Sequence, residues 1–434
     1  MAIIPQKQLF EWGEIQKLGE LKRLKLVLEN LPDEELMKKL ERERANGRDD
    51  YSVRGVWNSI LAGIVFQHSS VEQLRRELMR NGQLRYICGL NETPTSSAYS
   101  RFLGRLLANK DMVLAMMNEL VAELKEKLPN FGEVLAIDGK AIESYARPRK
   151  KENKKPRDGR RDIDADFGTK VYRGVKEDGS VWEKFKTWFG YELHLVVDAN
   201  YELPVAFKVT PASNSEVKEA HKIVETVEKV QKGIIERCCY FLGDRGYDDE
   251  KLITKLWDEY GIKAVIDIRD MWKDGEKTRL LEGTQNIVYD FQGTIYCHCP
   301  ETGKQREMPY GGFEKGRETL KYRCPADHFG ISCKGKEKCP VGKSIRIPMN
   351  KNRRLFTPVA RSSYKWKELY KKRTAVERVN GRLDFSLGFE NHTIRGLDKM
   401  ELRCGMALMA MLAMALGRIR EKQEEKMRSL IAAA

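Results

Sequence analysis

The sequence predicts an α/β fold, a mixed sheet with flanking helices, preceded by an all-helical region and interrupted by a small cysteine-rich domain. Three observations lead to this prediction. Apolar side chains recur at helical spacing through residues 14–127. Short apolar strands then alternate with amphipathic helices as far as Asp267. Five of the nine cysteines lie between Cys297 and Cys339. A chain of 434 residues is long enough for several such domains.

The charge of the chain points to a polyanionic partner. Its formal net charge is +15, and such an excess of lysine and arginine favours DNA or RNA over an anionic membrane surface. The longest apolar run, Met406–Leu416, has 11 residues, well short of the ~20 that a membrane span needs, so we expect a buried helix there. Met1–Phe10 lacks the pattern of a signal peptide, and the cysteine usage suggests a reducing, cytoplasmic compartment.

Residues 1–130 are expected to form a helical DNA-binding domain. Ser70 can cap a helix over Val71–Met79, and a second helix, Ser96–Ala108, carries Arg101 and Arg105. Two short helices with a polar, basic second member are typical of a helix-turn-helix. A plain helical bundle accounts for the same pattern.

Residues 131–269 contain the first part of the predicted sheet. Its strands are Val134–Ile137, Phe189–Asp198, Val205–Thr210, Tyr240–Leu242 and Lys263–Asp267. Between the first two strands, residues 147–161 include nine basic and two acidic residues. Such a run cannot bury a core, so it is either a solvated linker or a contact for phosphate groups.

Residues 270–361 form the predicted cysteine-rich insertion domain. Ile287–Tyr289 and Thr294–Tyr296 flank Gln292-Gly293 as a hairpin, and a structureless loop of this length would be unusual. Either four thiolates hold a structural zinc ion that compensates for a small apolar core, or the cysteines are reduced and structural. The candidate zinc ligands are Cys297, Cys299, Cys324, Cys333 and Cys339, with His298 and His328 beside them.

Residues 362–434 return to the α/β domain and end in a Met- and Ala-rich helix. We expect one helical segment from Tyr370 to Asp384, in which Glu377 is set among basic side chains. At about 100° per residue, Tyr370, Arg373, Glu377 and Asp384 would fall within roughly a 60° arc of one helical face. Glu377 would then reach a surface that it shares with these residues.

Three carboxylates suggest phosphodiester chemistry. Asp138 and Asp244 each follow a predicted apolar strand and each has a glycine beside it, which would allow close approach of a phosphate backbone. Glu377 would supply a third carboxylate from its helix. Two divalent cations held by such hard oxygen ligands activate an oxygen nucleophile and stabilise the leaving group.

These residues resemble those of the DDE transposases of bacterial insertion sequences. Tyr370, Arg373 and Glu377 match the Y-x2-R-x3-E part of the family's YREK motif, and LGDRGYDDEKL is similar to the segment around the second catalytic aspartate. FGYELHLVVDANYELPVAFKVTPAS is similar to the strand pair between the two aspartate motifs, and TPTSSAYSRFLGRL to the DNA-end-binding region. The resemblance covers roughly Val134–Gly396. It implies a ribonuclease H-like catalytic domain with an insertion before the Glu377 helix.

The resemblance also implies roles for individual residues. Asp138, Asp244 and Glu377 would hold two magnesium or manganese ions, and Tyr370 and Arg373 would grip the transposon end. The family's lysine, seven residues after the glutamate, is Asp384 here, so either Arg382 or Lys372 makes that phosphate contact or the end-binding geometry differs.

Other side chains have two interpretations. Lys140 and Arg245, next to the two aspartates, are either phosphate contacts or ordinary solvated or ion-paired residues. Trp182, Trp188 and Trp272 either stack on unpaired bases or pack internally.

We therefore expect a transposase that nicks double-stranded DNA at the terminal inverted repeats of its insertion sequence and joins the 3′-hydroxyl ends to target DNA. Two alternatives remain: a non-catalytic DNA-binding protein derived from such an enzyme, and a ribonuclease H-like nuclease that cuts without joining. A homodimer on DNA is expected because two ends must be handled together, and the resemblance implies a bacterial, nucleoid-associated protein.

Overall fold

A computed structural model describes residues 19–44, 50–148, 162–176, 178 and 180–430. Two compact units make up the chain. The helical unit comprises Met1–Leu124, Glu143–Ala165 and Asn380–Ala434, and the sheet unit comprises Lys125–Ile142 and Asp166–Val379. Met1–Phe10 and most of the predicted basic linker lie outside the described residues.

The helical unit begins with helices that are fixed at their starts by hydroxyl side chains. Ser52, Ser70 and Thr95 each accept a hydrogen bond from the backbone N–H three residues later, which satisfies an otherwise unpaired donor of the first turn. The helices are α1 (Leu21–Asn30), α2 (Glu34–Arg44), α3 (Val53–Val65), α4 (Val71–Arg80), α5 (Gly82–Cys88), α6 (Ser96–Ala108) and α7 (Lys110–Lys127). The two predicted helices of the helix-turn-helix are α4 and α6, and a third helix, α5, separates them.

The last long helix of the described residues forms the centre of the helical unit. This helix, α14 (Leu397–Arg420), packs against α1 and α3. Helices α8 to α13 precede it in the chain and are described below. It is long and apolar enough to cross a membrane, but 83% of its apolar window is buried. The prediction of a buried helix over Met406–Leu416 is therefore confirmed.

The sheet unit is built on a six-stranded mixed sheet, which confirms the predicted α/β class. The strand order is β2–β3–β1–β5–β6, and β4 pairs with the other half of β3. β5 pairs in parallel with both β1 and β6, whereas β3 is antiparallel to β2 and β4. The strands are β1 (Val134–Glu143), β2 (Asp166–Val175), β3 (Val181–Asp198), β4 (Leu203–Pro211), β5 (Tyr240–Gly243) and β6 (Lys263–Ile266).

Three helices accompany this sheet between β4 and β6. They are α8 (Glu216–Val230), α9 (Lys232–Arg237) and α10 (Glu250–Asp258). Ile223, Val224 and Val227 of α8 are buried, as are Leu252 and Leu256 of α10, at the helical spacing that the sequence predicts.

Two small antiparallel sheets follow between Arg279 and Pro348. Their orders are β10–β9–β8–β7 and β11–β12–β13, and Ile287, Ile295, Leu320 and Ile347 are fully buried in one shared core. The elements are β7 (Arg279–Leu280), β8 (Ile287–Tyr289), β9 (Ile295–His298), β10 (Gln305–Glu307), β11 (Tyr310–Glu314), β12 (Thr319–Arg323), α11 (Pro325–Phe329) and β13 (Ser344–Pro348).

The predicted single helix around Glu377 is divided into two. α12 (Tyr364–Lys371) ends in a tight turn of two residues, and α13 (Thr374–Leu387) follows it. Arg373, Ala375 and Val376 each donate a backbone hydrogen bond to the residue three positions earlier. Because that turn has about 3.0 residues rather than 3.6, the prediction of one uninterrupted helix from Tyr370 to Asp384 is wrong.

Candidate active site

Asp138 and Asp244 lie side by side because their strands are parallel neighbours. β1 and β5 pair in register, with Ala136 opposite Leu242. The same register, continued by two residues, brings Asp138 opposite Asp244, just beyond the carboxyl end of β5. Asp244 follows the end of β5 as predicted. Asp138, predicted at a strand end, lies within β1, which continues to Glu143.

Backbone N–H groups fix the orientation of both carboxylates. Asp138 Oδ1 accepts a hydrogen bond from Gly139 N at 2.9 Å, and Asp244 Oδ1 accepts one from Gly246 N at 2.7 Å. Asp244 thereby caps the short 3-10 turn that follows β5. The side chains of the two aspartates are thus oriented before any ligand binds.

The two carboxylates concentrate negative charge at a largely buried edge. Burial and the charge of Asp244 raise the pKa of Asp138 to about 6. Burial, and then the charge of Glu216, raise the pKa of Asp244. A bound cation would relieve this repulsion, and carboxylate oxygens are the ligands that Mg²⁺ and Mn²⁺ prefer.

Glu377 is connected to this pair through Arg373. Arg373 Nη2 lies 2.6 Å from Glu377 Oε1, and Arg373 Nη1 lies 3.9 Å from Asp138 Oδ2. The guanidinium therefore bridges the two acids and keeps them apart. In the part of the chain that the structure describes, no three His, Cys, Asp or Glu side chains converge as a metal site. Glu377, whose side chain is about half exposed, would have to exchange Arg373 for a cation.

Tyr370 lies against Arg373 on the preceding helix. Its ring stacks on Trp366 with a centroid separation of 4.6 Å, and the Arg373 guanidinium lies 5.7 Å from the Tyr370 ring centroid. The turn between α12 and α13 thus brings Tyr370 and Arg373 together and aims Arg373 at Asp138. Predicted residues from three separate segments of the sequence therefore meet at one site.

Comparison with known proteins gives the family. The model of the family described as "Transposase DDE domain" matches residues 129–413, well over half of the 434 residues. The chain belongs to the DDE transposase family. No curated protein matches the chain significantly. The cryo-EM structure of the piggyBac transposase synaptic complex with hairpin DNA aligns with 96% of this chain and 86% of that one. The sequence identity is 10% and the TM-score is 0.29. A structural similarity this low supports no argument.

The candidate site also contains a partly buried ionic network that the sequence did not predict. Lys170 Nζ lies 2.8 Å from Glu216 Oε1 and 3.2 Å from Glu192 Oε1, and it donates to the Gly139 carbonyl at 2.9 Å. Burial raises the pKa of Glu192 to about 7, and Glu216 adds to that rise. A sequence signal was present, since Glu192 is an acid inside the apolar strand FGYELHLVVD.

Gly139 and Gly246 make room for this network. A Cβ on Gly139 would lie 2.6 Å from Glu192 Oε1 and 2.9 Å from Glu216 Oε1, and one on Gly246 would collide with Glu216 Oε2. We expected these glycines to admit a phosphate backbone. In the structure the space beside these glycines is occupied by the carboxylates of Glu192 and Glu216. Two further acids therefore lie near Asp138 and Asp244.

The remaining predicted DNA contacts have varied surroundings. Arg245 is exposed and pairs with Asp267 at 2.5 Å, as the ion-paired interpretation predicts. Lys140 is partly exposed two residues after Asp138 on β1, so the two side chains share a face of the sheet. Arg382 and Asp384 are partly exposed on α13, and Lys372 donates to Asn200 Oδ1 at 2.9 Å.

All five cysteines of the predicted zinc site line one small cavity. Its volume is about 20 Å³, and His298 also borders it, whereas His328 does not. The pKa of Cys297 is raised to about 11, first by burial and then by Cys324, Cys339 and Cys333. Hydrogen bonds from Thr302 and nearby backbone groups lower the pKa of Cys299 to about 6. The five cysteines therefore border one small space, but in the described part of the chain no three of them converge closely enough to form a metal site.

Proposed function

We propose that this transposase cuts DNA at the ends of its insertion sequence and joins the 3′-hydroxyl ends to target DNA by two-metal-ion chemistry. The observation that carries the proposal is the meeting of Asp138 and Asp244 on adjacent parallel strands, with Glu377 linked to Asp138 through Arg373. These carboxylates come from the three segments in which the family resemblance expects catalytic acids.

Asp138, Asp244 and Glu377 would hold the two magnesium or manganese ions. The donor chemistry fits, because hard carboxylate oxygens are crowded together and the pKa values of both aspartates are raised. When bound, such ions activate the attacking oxygen and stabilise the leaving oxygen of an in-line displacement. Asp138 and Asp244 would bind the ions through carboxylates whose orientation is set by hydrogen bonds from Gly139 N and Gly246 N.

The surrounding fold supports the same proposal. The order β4–β3–β1–β5–β6, with antiparallel β3 and β4 followed by parallel β5 and β6, is compatible with a ribonuclease H-like catalytic domain. The two small sheets between β6 and α12 would then be its insertion domain, and the helical unit would supply the N-terminal DNA-binding domain.

Basic and aromatic side chains around the carboxylates would hold the transposon end. Arg373 and Tyr370 are closest to the metal-binding residues, and Lys140 shares a face with Asp138. Arg245 and Arg382 would contact phosphate groups further from the cut. Either Arg382 or Lys372 would replace the family's lysine, and Lys372 would first have to release Asn200.

The transposase would act as a homodimer on DNA, in the bacterial cytoplasm at the nucleoid. Two element ends must be cut and joined together, and the net charge of +15 suits binding to double-stranded DNA. A non-catalytic DNA-binding protein is the second candidate, and the observation that favours it is Asp384 at the position of the family's lysine.

A strand-transfer assay tests the proposal. Duplexes carrying the terminal inverted repeats that flank the gene are incubated with the protein, Mg²⁺ and a target plasmid. We expect nicked ends and joined products. Nicked ends without joined products would support a ribonuclease H-like nuclease, and binding without nicking would support the non-catalytic protein.

We also propose that the cysteine cavity holds a structural zinc ion. Four of Cys297, Cys299, Cys324, Cys333 and Cys339 would bind it as thiolates. Metal analysis of purified protein is expected to find about one zinc per chain, and Cys324→Ser to reduce that content. Zinc-free protein with unchanged thermal stability would favour reduced structural cysteines.

A further inference from the structure

A two-stranded ribbon leads away from the active site. We define the ribbon as β2 and residues 181–190 of β3, which pair antiparallel from Asp166 opposite Gly190 to Val175 opposite Val181. Residues 181–187 are all exposed. A two-stranded ribbon that buries so little surface is only marginally stable by itself. Its exposure therefore suggests a surface that binds a ligand or partner.

The two faces of the ribbon differ in chemistry. Lys170 is directly opposite Lys186, and Gly174 is opposite Trp182, so with Lys184 these residues share the face that we call the lysine face. The other face contains exposed apolar side chains, among them Val171 and Phe185, which are also opposite each other. The ribbon therefore has one cationic face and one apolar face.

The lysine face begins inside the active site. Lys170 donates to the carbonyl of Gly139, the residue after Asp138. From Lys170 to Gly174 the ribbon extends for roughly 13 Å, since each strand residue advances about 3.3 Å. One strand of DNA carries about four phosphates over that distance. The lysine face is thus continuous with the proposed catalytic carboxylates.

The outer lysines are not neutralised by the residues that the structure describes. Lys170 is paired with Glu192 and Glu216, whereas among the described residues neither Lys184 nor Lys186 forms an ion pair. The charge of Lys170 is therefore already compensated, whereas the charges of Lys184 and Lys186 face solvent. A polyanion lying along this face would neutralise these two lysines.

Trp182 adds an aromatic surface at the outer end. A Cβ on Gly174 would lie 2.5 Å from atoms of the Trp182 indole, so the ring covers Gly174 closely, and 39% of the residue remains exposed. Trp188 is buried, and Trp272 packs against Arg279 and Tyr289. Of the three tryptophans considered for stacking, Trp182 is the one that lies exposed on a basic face.

We propose that the lysine face binds the DNA strand adjacent to the cut phosphate, with Lys184 and Lys186 on phosphates and Trp182 stacked on an unpaired base. This inference rests on the proposed function, because it assigns a DNA-binding surface to the same active site. Charge complementarity and continuity with the active site select DNA as the ligand.

Salt-dependent binding of the full-length protein to terminal-repeat DNA tests the phosphate contacts. The double variant Lys184→Ala/Lys186→Ala should lower the slope of log K against log salt by about 1.8, or 0.9 for each phosphate contact, and weaken binding about tenfold or more. Lys229→Ala/Lys232→Ala is the matched control, because it removes the same charge at the far end of α8, where Lys229 lies about 20 Å along the helix from Glu216, and at the start of α9. The control should leave the slope almost unchanged.

Trp182→Ala tests the stacking contact. It should weaken binding to ends with unpaired bases about 5- to 100-fold, with a smaller effect on fully paired ends, and Trp182→Phe should restore binding. Circular dichroism confirms that each variant is folded.

The outcomes separate the two proposals. Wild-type protein that neither binds nor cuts the ends contradicts the proposed function. Wild-type protein that cuts them, while the lysine double variant keeps its slope or matches the control, overturns the ribbon inference alone. Loss of binding that light scattering traces to loss of self-association would assign the ribbon to a second copy of the chain and would also overturn it.

Discussion

Lys170 allows acidic side chains to be crowded beside Asp138. Its ammonium group lies within 3.2 Å of Glu192 and Glu216, and Glu192 is 2% exposed. Burial alone disfavours the charge of Lys170, but the two glutamates outweigh burial and raise its pKa. Lys170 is therefore a positioning residue that links the acidic side chains of the candidate site.

Removal of Lys170 is expected to destabilise the sheet unit. Lys170→Met should lower the free energy of unfolding by about 3 kcal/mol, because it leaves buried Glu192 without its counter-charge. Denaturant unfolding measures this change. The double variant Lys170→Met/Glu192→Gln should recover most of the loss. If the double variant is as unstable as the single one, the charge pairing is not the cause.

His392 should make stability depend on pH. It is 7% exposed, and burial, with the nearby Arg403, lowers its pKa to about 4. Its Nδ1 accepts a hydrogen bond from Ile394 N at 3.2 Å, so protonation at that atom would break the bond. The folded state therefore favours neutral His392, and the unfolded state gains a proton below about pH 6.5.

His392 should thus contribute fully to stability above about pH 6.5, and the contribution should be lost as the pH falls to about 4. The loss is at most about 3 kcal/mol. Unfolding of the wild type and of His392→Asn, measured between pH 7 and pH 4.5, checks this prediction. We expect the wild type to lose more stability over that range. Parallel pH profiles would show that His392 is not responsible.

At the scale of elements, the parallel strands were the most predictable part of the site. Val134–Ile137 and Tyr240–Leu242 are continuous apolar runs, which is typical of strands buried on both faces. β2 and the start of β3 were missed because their exposed residues bury no alternating face. The break between α12 and α13 was missed because the segment YKKRTAV contains neither Gly nor Pro.

Gly139 shows how closely these elements pack. Gly139→Ala should lower the free energy of unfolding by about 1–3 kcal/mol and reduce DNA cleavage strongly, because its methyl group would displace Glu192 and Glu216 and thereby shift Asp138. The control is Gly104→Ala on α6, where a Cβ would meet nothing within 4 Å and a gain of up to about 1 kcal/mol is expected. Equal effects of the two substitutions would contradict this account.

At the scale of the whole molecule, composition predicted the partner class better than it predicted any site. A net charge of +15 indicates a polyanion, but it does not locate the binding surface. The carboxylates Asp138, Asp244 and Glu377 could be proposed from their order and their sequence context. Lys170, Glu192 and Glu216 could not, because their proximity depends on how β2, β3 and α8 come together.

The central claim is that Asp138, Asp244 and Glu377 form a metal-dependent DNA-cleaving site. The most direct test is Mg²⁺-dependent cleavage of terminal-repeat DNA, with Mn²⁺ binding measured in parallel by calorimetry. Asp138→Asn, Asp244→Asn and Glu377→Gln are compared with Asp198→Asn, a buried aspartate that instead accepts backbone hydrogen bonds from Gly132 and Tyr201. We predict that the three site variants bind DNA but lose cleavage and weaken Mn²⁺ binding, while Asp198→Asn retains both activities if it folds. Full cleavage by folded Asp244→Asn would contradict the claim.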